Sequence, residues 1–106
     1  VAWFVLIVAG VLEVVWTYFM KQSDGFTRLV PSVIAIGASL VSFVLLAIAM
    51  KTLPLGTAYT VWTGIGAIGA FAIGIVVLSE PANATRVLAA GLIIAGIVLM
   101  KFSSTT

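Results

Sequence analysis

Apolar residues run almost unbroken through 2–20, 29–50, 55–79 and 87–100, and the polar residues gather between these runs. The first three runs approach or exceed the roughly 17 to 25 residues that an α-helix needs to cross a bilayer, and the fourth becomes long enough with its flanks. The punctuation falls at the same places. "KQSDGFTR" at 21–28 supplies charge, the turn pair Asp24-Gly25 and Thr27 as a cap for a second helix. Pro31 then sits in the first turn, where a missing amide is tolerated. "KTLPLGT" at 51–57 and "SEPANATR" at 79–86 break the remaining runs. The pattern therefore predicts one four-helix transmembrane domain over residues 1–106, with helices at about 2–21, 28–50, 56–79 and 85–102. All three connections are short, which makes successive helices antiparallel neighbours.

Composition supports an all-α membrane protein in contact with lipid. Of the 106 residues 63% are hydrophobic and 8% charged, against about 25% charged in soluble domains; mean hydropathy is +1.35. The first run lacks a basic leading region and reaches Lys21 with no small-residue cleavage signal, so it reads as a retained helix rather than a signal peptide. With no cysteine and no histidine, disulfides, thiol chemistry and the usual zinc sites are excluded. A net charge of +2, spread over helix ends, gives no nucleic-acid footprint. Lys51 and Lys101 fall on the side of residue 1, and Lys21, Arg28 and Arg86 on the other. Two against three hardly chooses an orientation under the positive-inside rule, leaving either insertion in both senses or a single weakly set topology.

Against this background Glu13, inside "AGVLEVVW", is the residue that needs a reason. A charge at the centre of a membrane helix is costly and by default functional. Helical spacing puts Gly10, Glu13 and Trp16 on one face, with Ala9 and Thr17 near. Glycine removes bulk one turn before the carboxylate, and the indole offers a donor and a ring one turn after it. In apolar surroundings a proton and a cation compete for such a group. The plainer reading is a carboxyl hydrogen-bonded across a helix interface.

The third helix holds "GTAYTVWTGIGAIGA", in which Tyr59, Trp62 and Gly66 share a face. Tyr59 is placed to donate to Glu13, and Trp62 to wall a pocket or meet a cation with its ring. The competing explanation is an aromatic belt at the membrane surface, which suits Tyr59 better than the deeper Trp62. Gly64, Gly66, Ala67, Gly69, Ala70 and Gly74 permit close backbone approach or bending. Ser39 or Ser42 either orients the carboxylate or bonds back to its own helix. Gly91 and Ala95 form a small-xxx-small pair and Gly96 adds another small position, a face suited to a dimer contact. Lys101 is placed to snorkel to the headgroups.

These residues leave open a proton-coupled cation transporter, a channel built from inverted copies, and a purely structural subunit. An enzyme is disfavoured, because one buried carboxylate without nucleophile, metal cluster or cofactor motif makes a poor catalytic constellation.

Taken together, "AGVLEVVW", "KQSDGFTRLVPS", "MKTLPLGTAY", "VWTGIGAIGA" and the Lys101 end resemble the small multidrug resistance family, in particular its guanidinium exporters, over almost the whole chain. The resemblance implies a multi-pass protein of a prokaryotic plasma membrane, working as an antiparallel, dual-topology homodimer. Helices one to three would build the cavity and helix four most of the dimer contact. It implies that Glu13 of each subunit binds substrate or protons in alternation, with Trp16, Ser42, Tyr59, Trp62 and Gly10 around it. The substrate would be guanidinium or another small organic cation, and no ATP or added cofactor would be needed. The alternatives are a multidrug exporter of quaternary ammonium or polyaromatic cations and, in a different class, a dual-topology ion channel. "WTYFMK" at 16–21 departs from the subgroup in carrying Tyr18 and Phe19. If either ring faces a portal between helices, admission of alkyl-bearing guanidines differs.

Overall fold

The computed structural model describes residues 1–103. Four helices follow one another: α1 (Ala2–Gln22), α2 (Leu29–Ala49), α3 (Leu55–Val76) and α4 (Ala84–Ser103). Each has 20 to 22 residues and is long and apolar enough to cross a membrane, since that many residues rise about 30 Å as an α-helix. The subunit is flat, 43 × 34 × 16 Å, and large apolar side chains such as Val33, Leu40, Val44 and Leu92 stand exposed on it. In a bilayer those faces meet lipid tails or another helix, and only the backbone and the few polar groups need internal partners.

α1 lies in the middle, packed on α2 and on α3, while α4 packs on α3. Small residues set these contacts. The face of α2 turned inward carries Ser32, Ala35, Ser42 and Ala49, all buried, at helical spacing. Between α1 and α3 the fit alternates. Ile65 fills the space a side chain on Gly10 would take, and Val14 fills the space over Gly69. Ile97 of α4 sits against Gly64 in the same way, 2.8 Å from where a Cβ would stand. The apolar core of Leu6, Leu46, Leu53 and Val61 occupies the half of the subunit nearest residue 1. At that end the Lys101 ammonium lies 4.6 Å from the centre of the Trp3 ring, so the charge meets an aromatic face.

The connections carry their own chemistry. After α1 the chain turns through Asp24, Gly25 and Phe26, all at positive φ, a conformation that glycine and aspartate tolerate best. Ser23, fully buried, ties this turn: its hydroxyl donates to the Met20 carbonyl and accepts from the Phe26 amide. Thr27 does not cap α2. Its hydroxyl donates to the Asp24 carbonyl at 2.8 Å, and the N-cap position falls to Arg28, which makes no side-chain cap. Pro31 is the third residue of α2, within the first turn. α3 ends at Val76, three residues before the end of its apolar run. There the Leu78 amide folds back to the Ile73 carbonyl and Ser79 takes φ 57°, so hydrophobicity continues after helical geometry has stopped. α4 opens on Asn83, whose side-chain oxygen accepts from the Arg86 amide at 2.9 Å.

Replacing Asn83 by alanine removes this cap and is expected to cost the first turn of α4 about 1 kcal/mol. Hydrogen exchange at the Arg86 and Val87 amides checks it: both should exchange several-fold faster, with the middle of α4 unchanged.

Candidate functional site

Glu13 lies near the middle of α1, buried at 9% exposure. Its carboxyl group rests on α3 over Gly66, in the volume that a β-carbon there would occupy. A glycine at that position is therefore required for the carboxylate to lie between the two helices, and any side chain would expel it.

A hydrogen-bond chain braces the turn before Glu13. Ser42, fully buried on α2, donates to the Ala9 carbonyl at 2.8 Å and accepts from the Trp62 indole at 3.0 Å. Three helices are thus joined through one hydroxyl. Of the two readings of the serines, Ser39 follows the local one, donating to the Ile36 carbonyl of its own helix at 2.8 Å. Ser42 does neither of the things considered for it: its proton goes across to the backbone of α1. It fixes the carboxylate's helix rather than the carboxylate.

Aromatic rings line the same side. Tyr59 and Trp62 lie 5.8 Å apart between ring centres, Trp62 and Phe43 5.8 Å, and Phe43 and Trp16 6.1 Å. Tyr59 leans on Trp62, is 54% exposed, and makes no hydrogen bond to Glu13 among the described residues, contrary to the expectation from spacing. Its ring has turned to the open face instead. Phe43, 46% exposed, joins the two indoles and escapes sequence reasoning, because one phenylalanine in an apolar helix carries no signal. The Trp16 indole N–H is buried without a partner among the described residues. Gly10 faces Ile65, so the room it leaves holds a helix contact rather than open pocket.

On its other side α1 borders a cleft of about 350 Å³ against α3. Val14, Thr17, Tyr18 and Lys21 line it from α1, and Glu80 and Arg86 close its far end. Tyr18 thus faces a gap between helices, while Phe19 is not among its walls and instead packs in a T-shaped pair with the Tyr18 ring, 5.3 Å between centres. Gly91 and Ala95 are exposed, with open space over Gly91 and Gly96. No group of three or more histidine, cysteine, aspartate or glutamate residues comes together among the described residues.

Four helices long and apolar enough to span a membrane, with one carboxylate buried between the first and the third, define a small multi-pass membrane protein. Residues 1–93 match the family model described as Small Multidrug Resistance protein, and the chain belongs to that family. A protein of Citrobacter freundii named "Guanidinium exporter" is 55% identical over 103 residues, covering 97% of this chain and 98% of its own. One of the same name from Yersinia pseudotuberculosis is 54% identical, covering 97% and 99%, and one from Salmonella typhimurium LT2 is 53% identical. With bacterial relatives of this kind and four spanning helices, the protein resides in a prokaryotic plasma membrane.

Ser42→Ala is expected to leave the Trp62 N–H buried without an acceptor, destabilising the subunit by about 1–3 kcal/mol. The indole resonance of Trp62 in a 15N–1H spectrum should move, and that of Trp3 should not.

Proposed function

We propose that the protein is a proton-coupled antiporter that exports guanidinium and small substituted guanidinium ions. In this reading Glu13 of two subunits binds substrate or protons in turn. One observation carries it: Glu13 is the one carboxylate buried within a membrane helix among the described residues, in a chain closely similar to proteins named guanidinium exporters.

The chemistry fits the groups present. A planar guanidinium offers two parallel N–H donors to a carboxylate, which adds geometry to charge. The ion keeps its own proton at cellular pH, so the proton that exchanges with it is the one on Glu13. Since one carboxylate holds either ion, exposing it first to one side and then to the other couples export to the proton gradient. Ser42 holds α1 and α3 in register through Ala9 and Trp62, and the Trp62 ring offers its face to the cation. The unpartnered Trp16 N–H is a donor available to a carboxylate oxygen in the assembled cavity.

Residues 1–103 supply the four helices of a single domain spanning 1–106, and two copies inserted in opposite senses complete the cavity. The open face bearing Phe43 and Tyr59 supports this, as does α4, which buries none of its residues within the subunit and presents Gly91, Ala95 and Gly96 for close approach. The near balance of lysine and arginine across the membrane permits both insertions. The run of four aromatic rings favours, as a second reading, export of quaternary ammonium or polyaromatic cations, which take ring faces without needing N–H acceptors.

Purified protein reconstituted in liposomes should carry a guanidinium current that follows the proton gradient and disappears in Glu13→Gln. A larger current with tetraalkylammonium would move the reading to the drug exporters, and one indifferent to protons and to Glu13 would indicate a channel. Competition also fixes the sign of the pH dependence. As pH falls through the range in which Glu13 binds its proton, the guanidinium KM should rise, approaching about tenfold per pH unit for one competing proton. A KM that stays flat as pH falls would contradict shared occupancy.

A further inference from the structure

The far end of the α1–α3 cleft holds an arrangement that the transport reading leaves unused. There the guanidinium of Arg86 meets three groups at once. Its Nη2 lies 3.6 Å from Glu80 Oε1, its Nη1 donates to the Pro81 carbonyl at 2.6 Å, and its Cζ stands 5.2 Å from the centre of the Phe71 ring. Carboxylate, carbonyl and aromatic face are the three partners a planar guanidinium takes best.

The turn after α3 brings them together. Ser79 at φ 57° turns Glu80 back toward α3, and the Glu80 amide bonds the Gly74 carbonyl at 2.9 Å. The Glu80 carboxylate then lies over Gly74, with Oε1 2.5 Å from where a Cβ would stand. A glutamate merely solvated at a helix end needs neither the reversed turn nor the missing side chain. From this point the cleft runs past Thr17 and Tyr18 to Val14 and Ala67, the chain neighbours of Glu13 and Gly66.

We propose that Glu80, the Pro81 carbonyl and the Phe71 ring form an outer guanidinium site, where the transported ion exchanges with the head group of Arg86 on its way to or from Glu13. The identity of the ion rests on the transport reading above; the site itself does not depend on proton coupling. Exchange is feasible because the pair is 36% and 40% exposed, and ion pairs so open to solvent contribute little to stability. Released, Arg86 retains a long side chain able to reach the headgroups. Competition keeps the site weak: the ion has to displace a tethered guanidinium, and with Arg86 out Lys21 still balances the charge of Glu80 in the lining. A transfer point must release its ion, and this balance ensures that it does. In an antiparallel pair one such mouth opens on each side of the membrane.

The test uses full-length Glu13→Gln protein with 15N-labelled arginine, so that the deep site takes no cation. The Arg86 Nε–H resonance is followed during addition of guanidinium chloride and, separately, tetramethylammonium chloride at equal ionic strength, with Arg28 as internal reference. A saturable shift of Arg86 with guanidinium alone, lost when Glu80→Gln is added, is the expected result. Equal shifts in both salts, or none, would overturn the proposal. In the otherwise native protein Glu80→Gln should raise the guanidinium KM several-fold with kcat held. A fall in kcat at unchanged KM would instead mark Glu80 as structural and overturn it.

Discussion

A carboxylate in the middle of a membrane helix has to be housed, and the subunit is arranged around that requirement. Glu13 lies over Gly66, and α3 can come close enough to cover it only because it has no side chain there. The same economy is repeated along the interface, where Ile65 fills the space over Gly10 and Val14 that over Gly69. Between lipid-soluble helices there is no hydrophobic gain from association, so close van der Waals fit has to hold them. Small residues therefore serve two ends at once: they bring α1 and α3 into contact, and they leave a polar group between them.

Ser42 shows how little polar chemistry is needed to align such a site. One hydroxyl, with one proton to give and lone pairs to receive, links the Ala9 carbonyl to the Trp62 indole and so connects α1, α2 and α3. Neither bond touches Glu13. The carboxylate keeps its acceptor capacity, while the helix turn before it is fixed. In a low-dielectric setting a fully satisfied network of this kind rigidifies its surroundings, and a broken one is expensive.

The two ends of the subunit differ in character. Near residue 1 the core is apolar and the Lys101 ammonium rests over Trp3. Near Arg86 the α1–α3 cleft is open and lined by charge. Glu13 sits between these two halves, buried against α3.

Hydrophobic runs determined that there are four spanning helices and that short polar links join them, because at bilayer depth every backbone group must be satisfied within a helix. They also singled out Glu13, since a charge there is conspicuous against lipid. The end of α3 was less legible: valine and leucine continue through 77–78, and only the backbone reversal at Ser79 stops the helix. Thr27 had the chemistry of a cap but spent its hydroxyl inside the preceding turn. Ser39 and Ser42 were equivalent as letters, and tertiary packing separated them by placing one across from a carbonyl of α1 and the other near the open side of α2. Phe43 became a bridge between indoles, Tyr59 turned from the carboxylate, and Tyr18 came to line the cleft for the same reason. Periodicity states which residues share a helix face, but which neighbour that face meets depends on how closely the helices approach, and that distance is set by the glycines of two helices acting together.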